Sequence, residues 1–194
     1  MNTLAYFKEQ FDQLLLADKN SGLDTLRQDG FNAFSKFGIP NAKHEEWKYT
    51  RIGGLFNREY QFPSAAVSTT VSVADVDAIR LPGNEEANEL VFVNGIFSPS
   101  LSFIRSKSLV VQPLGEAAEN KYAPVVTKHL GHSSKYLKDG INALNTAFVQ
   151  EGVFIHVEKA KAPEHPVYIY NIADARTFNV FAQPRSLVHI AEKA

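Results

Sequence analysis

A chain of 194 residues, 44% hydrophobic and 21% charged, is long enough to bury a core as one large domain or two small ones without disulfide or metal staples. Its formal charge of -1 and pI near 6.6 supply no basic field for nucleic acid or anionic lipid. Cysteine is absent, which removes disulfides, thiolate nucleophiles and cysteine ligands from these residues and fits a cytoplasmic protein.

The opening stretch, MNTLAYFKEQFDQLLL, lacks the basic start and unbroken apolar run of a signal peptide. No stretch approaches the ~18 consecutive apolar residues of a membrane span. Leu4, Phe7, Phe11, Leu14 and Leu15 instead recur at intervals of three and four, which predicts an amphipathic helix. A second helical segment follows DKNSG, with Leu23, Leu26, Phe31, Phe34 and Phe37 as its apolar positions. Gly30 is expected to interrupt it, and Gly38 and Pro40 to stop it. Residues 44–50 then read as a short helical turn.

Residues 61–75, small and β-branched, read as an irregular or weakly extended linker. In ELVFVNGIFSPSL two apolar runs flank Asn94-Gly95, the dipeptide that most favours a two-residue type I′ hairpin, so strands near 89–93 and 96–98 should pair antiparallel. LVVQPLGEAAEN predicts a strand leading into a short helix, and KDGINALNTAFVQ another helix. From Gly152 the pattern changes to short alternating strands in GVFIHV, PVYIYNI and SLVHIA, with Val153, Ile155 and Val157 on one face. Such strands suit a sandwich, a barrel or a parallel solenoid, and they are too few to close any of these.

The chemistry-bearing candidates are sparse. In NAKHEEWKYT, His44, Glu45 and Glu46 could pair as base and acid, but neighbouring helical residues point in different directions. The plainer reading is a helix start favoured by acidic residues, with Trp47 largely buried as an anchor and the two glutamates not both buried. His129 and His132 lie three apart and could approach one metal ion, but no third ligand stands nearby in sequence and zinc takes three or four. His156 and His165 flank strands, where hydrogen-bonded or solvent-facing roles are the ordinary ones. Gly53-Gly54 lacks the spacing and Lys-Ser/Thr of a phosphate loop, and no serine sits in a Gly-x-Ser-x-Gly elbow. Aromatic residues without a basic groove make no stacking platform for single strands. No catalytic, cofactor-binding or metal-ligating residue is therefore assigned.

Three segments, in order, carry a resemblance: FGIPNAKHEEWKYTRI, LVFVNGIFSPSLS, and ALNTAFVQEGVFIHVEKAKAPEHPVYIYNI. As an ordered set they resemble the SufD family of the Suf iron–sulfur cluster assembly system. The resemblance implies an α+β chain: N-terminal helices and a small α/β region over residues 1–148, then the opening strands of a right-handed parallel β-helix over 149–194. It implies a longer chain whose later part holds the family's functional positions. The implied function is a non-enzymatic scaffold subunit with a role in iron acquisition. The implied partners are a SufB-like paralogue and a SufC-like ATPase, met mainly through regions beyond residue 194. The iron–sulfur cluster would be handled by the whole complex, with no cofactor held in this chain, no nucleic acid and no membrane. A solenoid-type carbohydrate-active enzyme and a SufB-like paralogue are the alternatives. The first needs Asp, Lys or Arg clustered on one sheet face, and residues 150–194 show none in sequence. The second is disfavoured by the Asn-Gly hairpin and the Glu-Glu-Trp-Lys-Tyr-Thr segment.

Overall fold

A computed structural model describes residues 2–18, 22–62, 70–132, 138–150 and 152–194. In chain order these carry α1 (Thr3–Ala17), α2 (Asp24–Phe37), α3 (Val73–Asp77), β1 (Asn88–Val93), β2 (Ile96–Phe97), β3 (Leu109–Pro113), α4 (Leu114–Glu119), α5 (Ala123–His129), α6 (Gly140–Ala147), β4 (Val153–Val157), β5 (Val167–Ile172) and β6 (Ser186–Ile190). The class is α+β, with helices and small mixed sheets. Two compact units form, one from residues 1–60 and 118–149 and the other from 61–117 and 150–194. The chain passes between them three times, after Tyr60, Ala117 and Val149.

In the first unit the spacing of α1 does what it predicts, burying Phe7, Phe11 and Leu14 on one stripe. Leu4 falls at the stripe's edge and stays exposed. Asn2 caps the helix by accepting the Ala5 N–H at 3.2 Å. Rings fill the interior: Phe11 stacks on Phe31 at 4.4 Å, and Phe7 meets Phe34 and Phe148 edge-on at 5.7 and 6.0 Å.

Helix α2 runs unbroken through Gly30, contrary to the expected interruption. The glycine serves packing instead. A Cβ there would lie 2.6 Å from the Ala147 nitrogen and 2.9 Å from Thr146, so α6 approaches α2 more closely than any side chain permits. Gly38 does end α2, at φ +65°. Fully buried Arg27 joins the two ends of this unit. It donates to the Val149 carbonyl at 2.7 Å and pairs with Asp18 at 2.7 Å and Asp24 at 3.3 Å.

In the second unit two three-stranded sheets form, ordered β2-β1-β5 and β3-β4-β6. Strand β1 pairs parallel with β5, from Asn88 opposite Val167 to Val93 opposite Ile172. Strand β4 pairs antiparallel with β3 and parallel with β6, from Val153 opposite Ser186 to Val157 opposite Ile190. Leu90 and Phe92 from one sheet and Leu109, Val153, Ile155 and Val157 from the other make the inner core, so the expected shared face of β4 is the one buried there. The other face of β1, Val91 and Val93, packs with Val71, Val76 and Tyr170, and β1 is therefore buried on both sides.

The Asn94-Gly95 hairpin forms as expected, with β1 and β2 antiparallel and both turn residues at positive φ, +54° and +86°. The linker reading of 61–75 needs correction where it can be tested. Residues 63–69 lie outside the described residues, but from Val73 the chain is helical, because Ser72 and Asp75 make a reciprocal capping box. The Ser72–Asp75 spacing carries that signal in the sequence itself.

Candidate functional site

The segment after α2 is built by short-range bonds. The Asn41 side chain accepts the Lys43 N–H at 2.9 Å, its carbonyl accepts the His44 N–H at 3.0 Å, and His44 Nδ1 accepts the Asn41 N–H at 3.1 Å. This tight turn launches a single 3-10 turn, Glu45–Trp47, so the short helical turn expected over 44–50 is present in its first half. Residues 41–60 contain no buried residue. They form a surface strap, held at its far end by Tyr6, whose hydroxyl donates to the Tyr60 carbonyl at 2.8 Å and accepts the Tyr60 N–H at 2.9 Å.

Trp47 is half-buried, not largely buried as predicted. A three-residue turn lying on the surface has no core beneath it to receive an indole. Trp47 instead lines a concavity of about 270 Å³ with Phe37, Pro40, His44, Glu45, Glu46, Lys138 and Asp139. Glu45 and Glu46 are both exposed, in keeping with the expectation that they are not both buried. Tyr49 is 90% exposed, with the Lys48 ammonium 5.5 Å from its ring centre.

The chemistry open to this arrangement is recognition more than proton transfer. His44 is engaged with backbone, and Asp139, one of three carboxylates lining the concavity, caps α6 by accepting the Ile141 and Asn142 N–H groups at 2.8 and 3.1 Å. Lys138 and Asp139 were missed as lining residues, since nothing local in sequence connects them to residues 37–47.

The other candidates scatter. His129 closes α5 and His132 lies three residues on. Among the described residues no group of three or more His, Asp or Glu side chains could hold a metal ion. His165 stands 3.7 Å from Glu86. His156 is buried on β4 and lies against His189, a residue the sequence reading passed over. Gly53 and Gly54 begin a 3-10 helix, Gly53–Asn57, in open space.

A polar node holds the hairpin tip. Asn94 Oδ1 accepts the Asp174 N–H at 2.7 Å. Asp174 in turn accepts from Arg176 at 2.7 and 2.9 Å and from the Thr70 hydroxyl at 2.6 Å. The Arg176 bonds and then the Thr70 hydroxyl hold the Asp174 carboxyl far below the usual carboxylate range. Ser72 lowers Asp75 in the same way, and Asp174 raises Arg176. This fastens the turn to the loop after β5 and to the start of α3.

Comparison with known proteins places these features. Residues 2–169 match the SufBD protein N-terminal region. The chain belongs to the SufBD family. Within the family it is similar to the iron–sulfur cluster assembly protein SufD of Escherichia coli (strain K12), at 27% identity over 70% of this chain and 28% of that protein. It is also similar to an iron–sulfur cluster assembly SufBD family protein of Synechocystis, at 24% identity over 98% of this chain and 41% of that protein. The chain thus spans less than half the length of the curated relatives it matches. The SufBD match encloses both the strap and the hairpin.

Proposed function

We propose that the chain forms the N-terminal part of a non-enzymatic scaffold subunit, of SufD type, in the cytoplasmic Suf iron–sulfur cluster assembly complex. The observation that carries this reading is the SufBD N-terminal match over residues 2–169, supported by a curated relative named for iron–sulfur cluster assembly. The SufD type, as against SufB, rests on the Glu45-to-Thr50 segment and the Asn94-Gly95 hairpin. On this reading a SufB-like paralogue and a SufC-like ATPase are the partners, met through regions beyond residue 194, and the complex also serves iron acquisition. Strands β4, β5 and β6 alternate between the two sheets, and β6 returns parallel onto β4. That connectivity supports reading residues 149–194 as the opening of a right-handed parallel β-helix.

The test is genetic and biochemical together. In a strain lacking its SufD, the complete open reading frame containing these residues should restore iron–sulfur enzyme activity and co-purify with the SufC-like ATPase. Failure of both, with the protein soluble, overturns the scaffold reading. The 194-residue chain by itself should not retain the ATPase, and should stay colourless after anaerobic reconstitution with iron and sulfide followed by desalting. A stable visible charge-transfer absorbance, lost on replacing His129 and His132, would place a cluster in this chain.

A further inference from the structure

The parallel register of β4 and β6 sets His156 directly opposite His189. The ring centres lie 5.0 Å apart with planes 17° from parallel, and the Nδ1 atoms are 2.9 Å apart, so the rings meet edge to edge through these nitrogens. His156 Nδ1 is also 3.1 Å from the His189 carbonyl oxygen. His156 also lies near-parallel to the fully buried Phe154, centres 5.8 Å apart and planes 15° from parallel. His156 is 8% exposed, whereas His189 is half-buried on a strand at the edge of its sheet.

We propose that His156 and His189 form a two-histidine site for a divalent transition-metal ion of the Cu2+ or Ni2+ class. Metal–imidazole bonds of about 2.0–2.1 Å place two cis nitrogens of a square plane roughly 2.8–3.0 Å apart, and two tetrahedral nitrogens roughly 3.3 Å apart. The observed Nδ1 separation fits the square-planar bite, which Cu2+ and Ni2+ favour and which imidazole suits as a ligand. Backbone pairing holds both Cα positions, and a small rotation of the rings turns both Nδ1 atoms from each other onto one ion. Binding the ion at both Nδ1 atoms leaves each neutral ring with its single proton on Nε2. Water completes the coordination. The site does not depend on the scaffold reading, because it follows from the β4–β6 register alone.

The experiment is titration of the chelator-treated protein with Cu2+ and Ni2+ against a chromophoric competitor, with Cu2+ electron paramagnetic resonance to count nitrogen ligands. The expected result is one ion per chain, a signal from two coordinated nitrogens, and a melting temperature raised by metal, since the ion joins β4 to β6. His189→Gln should weaken binding at least tenfold and abolish the thermal shift while its circular dichroism matches wild type. The double variant His129→Gln/His132→Gln should bind as wild type does. His156→Gln should also lose the ion, and if that buried position does not fold when replaced, the half-exposed His189→Gln decides the question. Wild-type affinity retained in His189→Gln, loss confined to the His129/His132 variant, or no stoichiometric uptake by wild type would each overturn the proposal.

Discussion

Replacing Gly30 by alanine sets two well-defined effects against each other. In a helix interior alanine is preferred to glycine by about 0.8–1.0 kcal/mol, so helix propensity alone predicts a more stable protein. The α2–α6 contact predicts the reverse. The new methyl carbon would meet the Ala147 nitrogen at 2.6 Å and the Thr146 carbonyl carbon at 2.9 Å, both backbone atoms that no rotamer change can move. Reaching ordinary contact near 3.4 Å requires the helices to part by about 0.8 Å. Overpacking of this kind costs about 1–3 kcal/mol, and a gap of that size forfeits a quarter to a half of the dispersion energy of the atoms facing it. Those atoms belong to a well-buried seam that includes Phe31, Phe34, Leu144 and Ala147. The expected net loss is about 1–2 kcal/mol. Urea unfolding followed by far-UV circular dichroism and by the fluorescence of Trp47, the single tryptophan, should show a lower midpoint at unchanged slope. Gly115→Ala on α4 is the matched control. No atom lies within 4 Å of a Cβ there, so stability should rise by up to about 0.5–1 kcal/mol. A Gly30→Ala protein as stable as wild type, or more so, would refute the packing account of this glycine.

Arg27→Ala should cost roughly 2–4 kcal/mol in the same unfolding experiment, since it opens a cavity and leaves the Val149 carbonyl without its donor; a loss below about 1 kcal/mol would mean the buried guanidinium contributes little. Asp174 and Asp75 have folded-state pKa values below their unfolded ones, so the stability they contribute is present above the unfolded value near pH 4 and is lost as pH falls through the folded values. Asp174→Asn should therefore flatten the acid limb of the stability–pH curve below about pH 4, and an unchanged limb would count against the node. Glu45→Ala should stay within about 0.5 kcal/mol of wild type, and Trp47→Ala should cost about 1–2 kcal/mol for a half-buried indole, both read from urea midpoints. Loss of cluster assembly in Glu45→Ala at an unchanged melting temperature would make the strap a functional surface.

Much of this protein was readable before any fold was in hand, wherever the cause is local. The α1 stripe follows from a 3.6-residue period, the hairpin from the positive φ that Asn94 and Gly95 tolerate, and the strands after Gly152 from alternation. The α3 capping box belongs in this group too, since Ser72 and Asp75 stand in the required spacing. The family was equally legible, because its motifs are contiguous runs. Four features were settled only by the tertiary structure. Gly30 looked like a helix breaker because its reason lies on α6, more than a hundred residues away. Arg27 is buried against Val149 across a separation of 122 residues. Trp47 was expected to anchor its turn in the core, yet the chain around it runs over the surface. His156 and His189 are brought together by a register offset of 33 residues, which alternation on either strand alone does not encode. Periodicity reports which face of an element turns inward, and turn chemistry reports which backbone angles are allowed; both act over a few residues. Which side chain meets which depends on how distant elements pack, and that free energy is shared among partners no single segment contains.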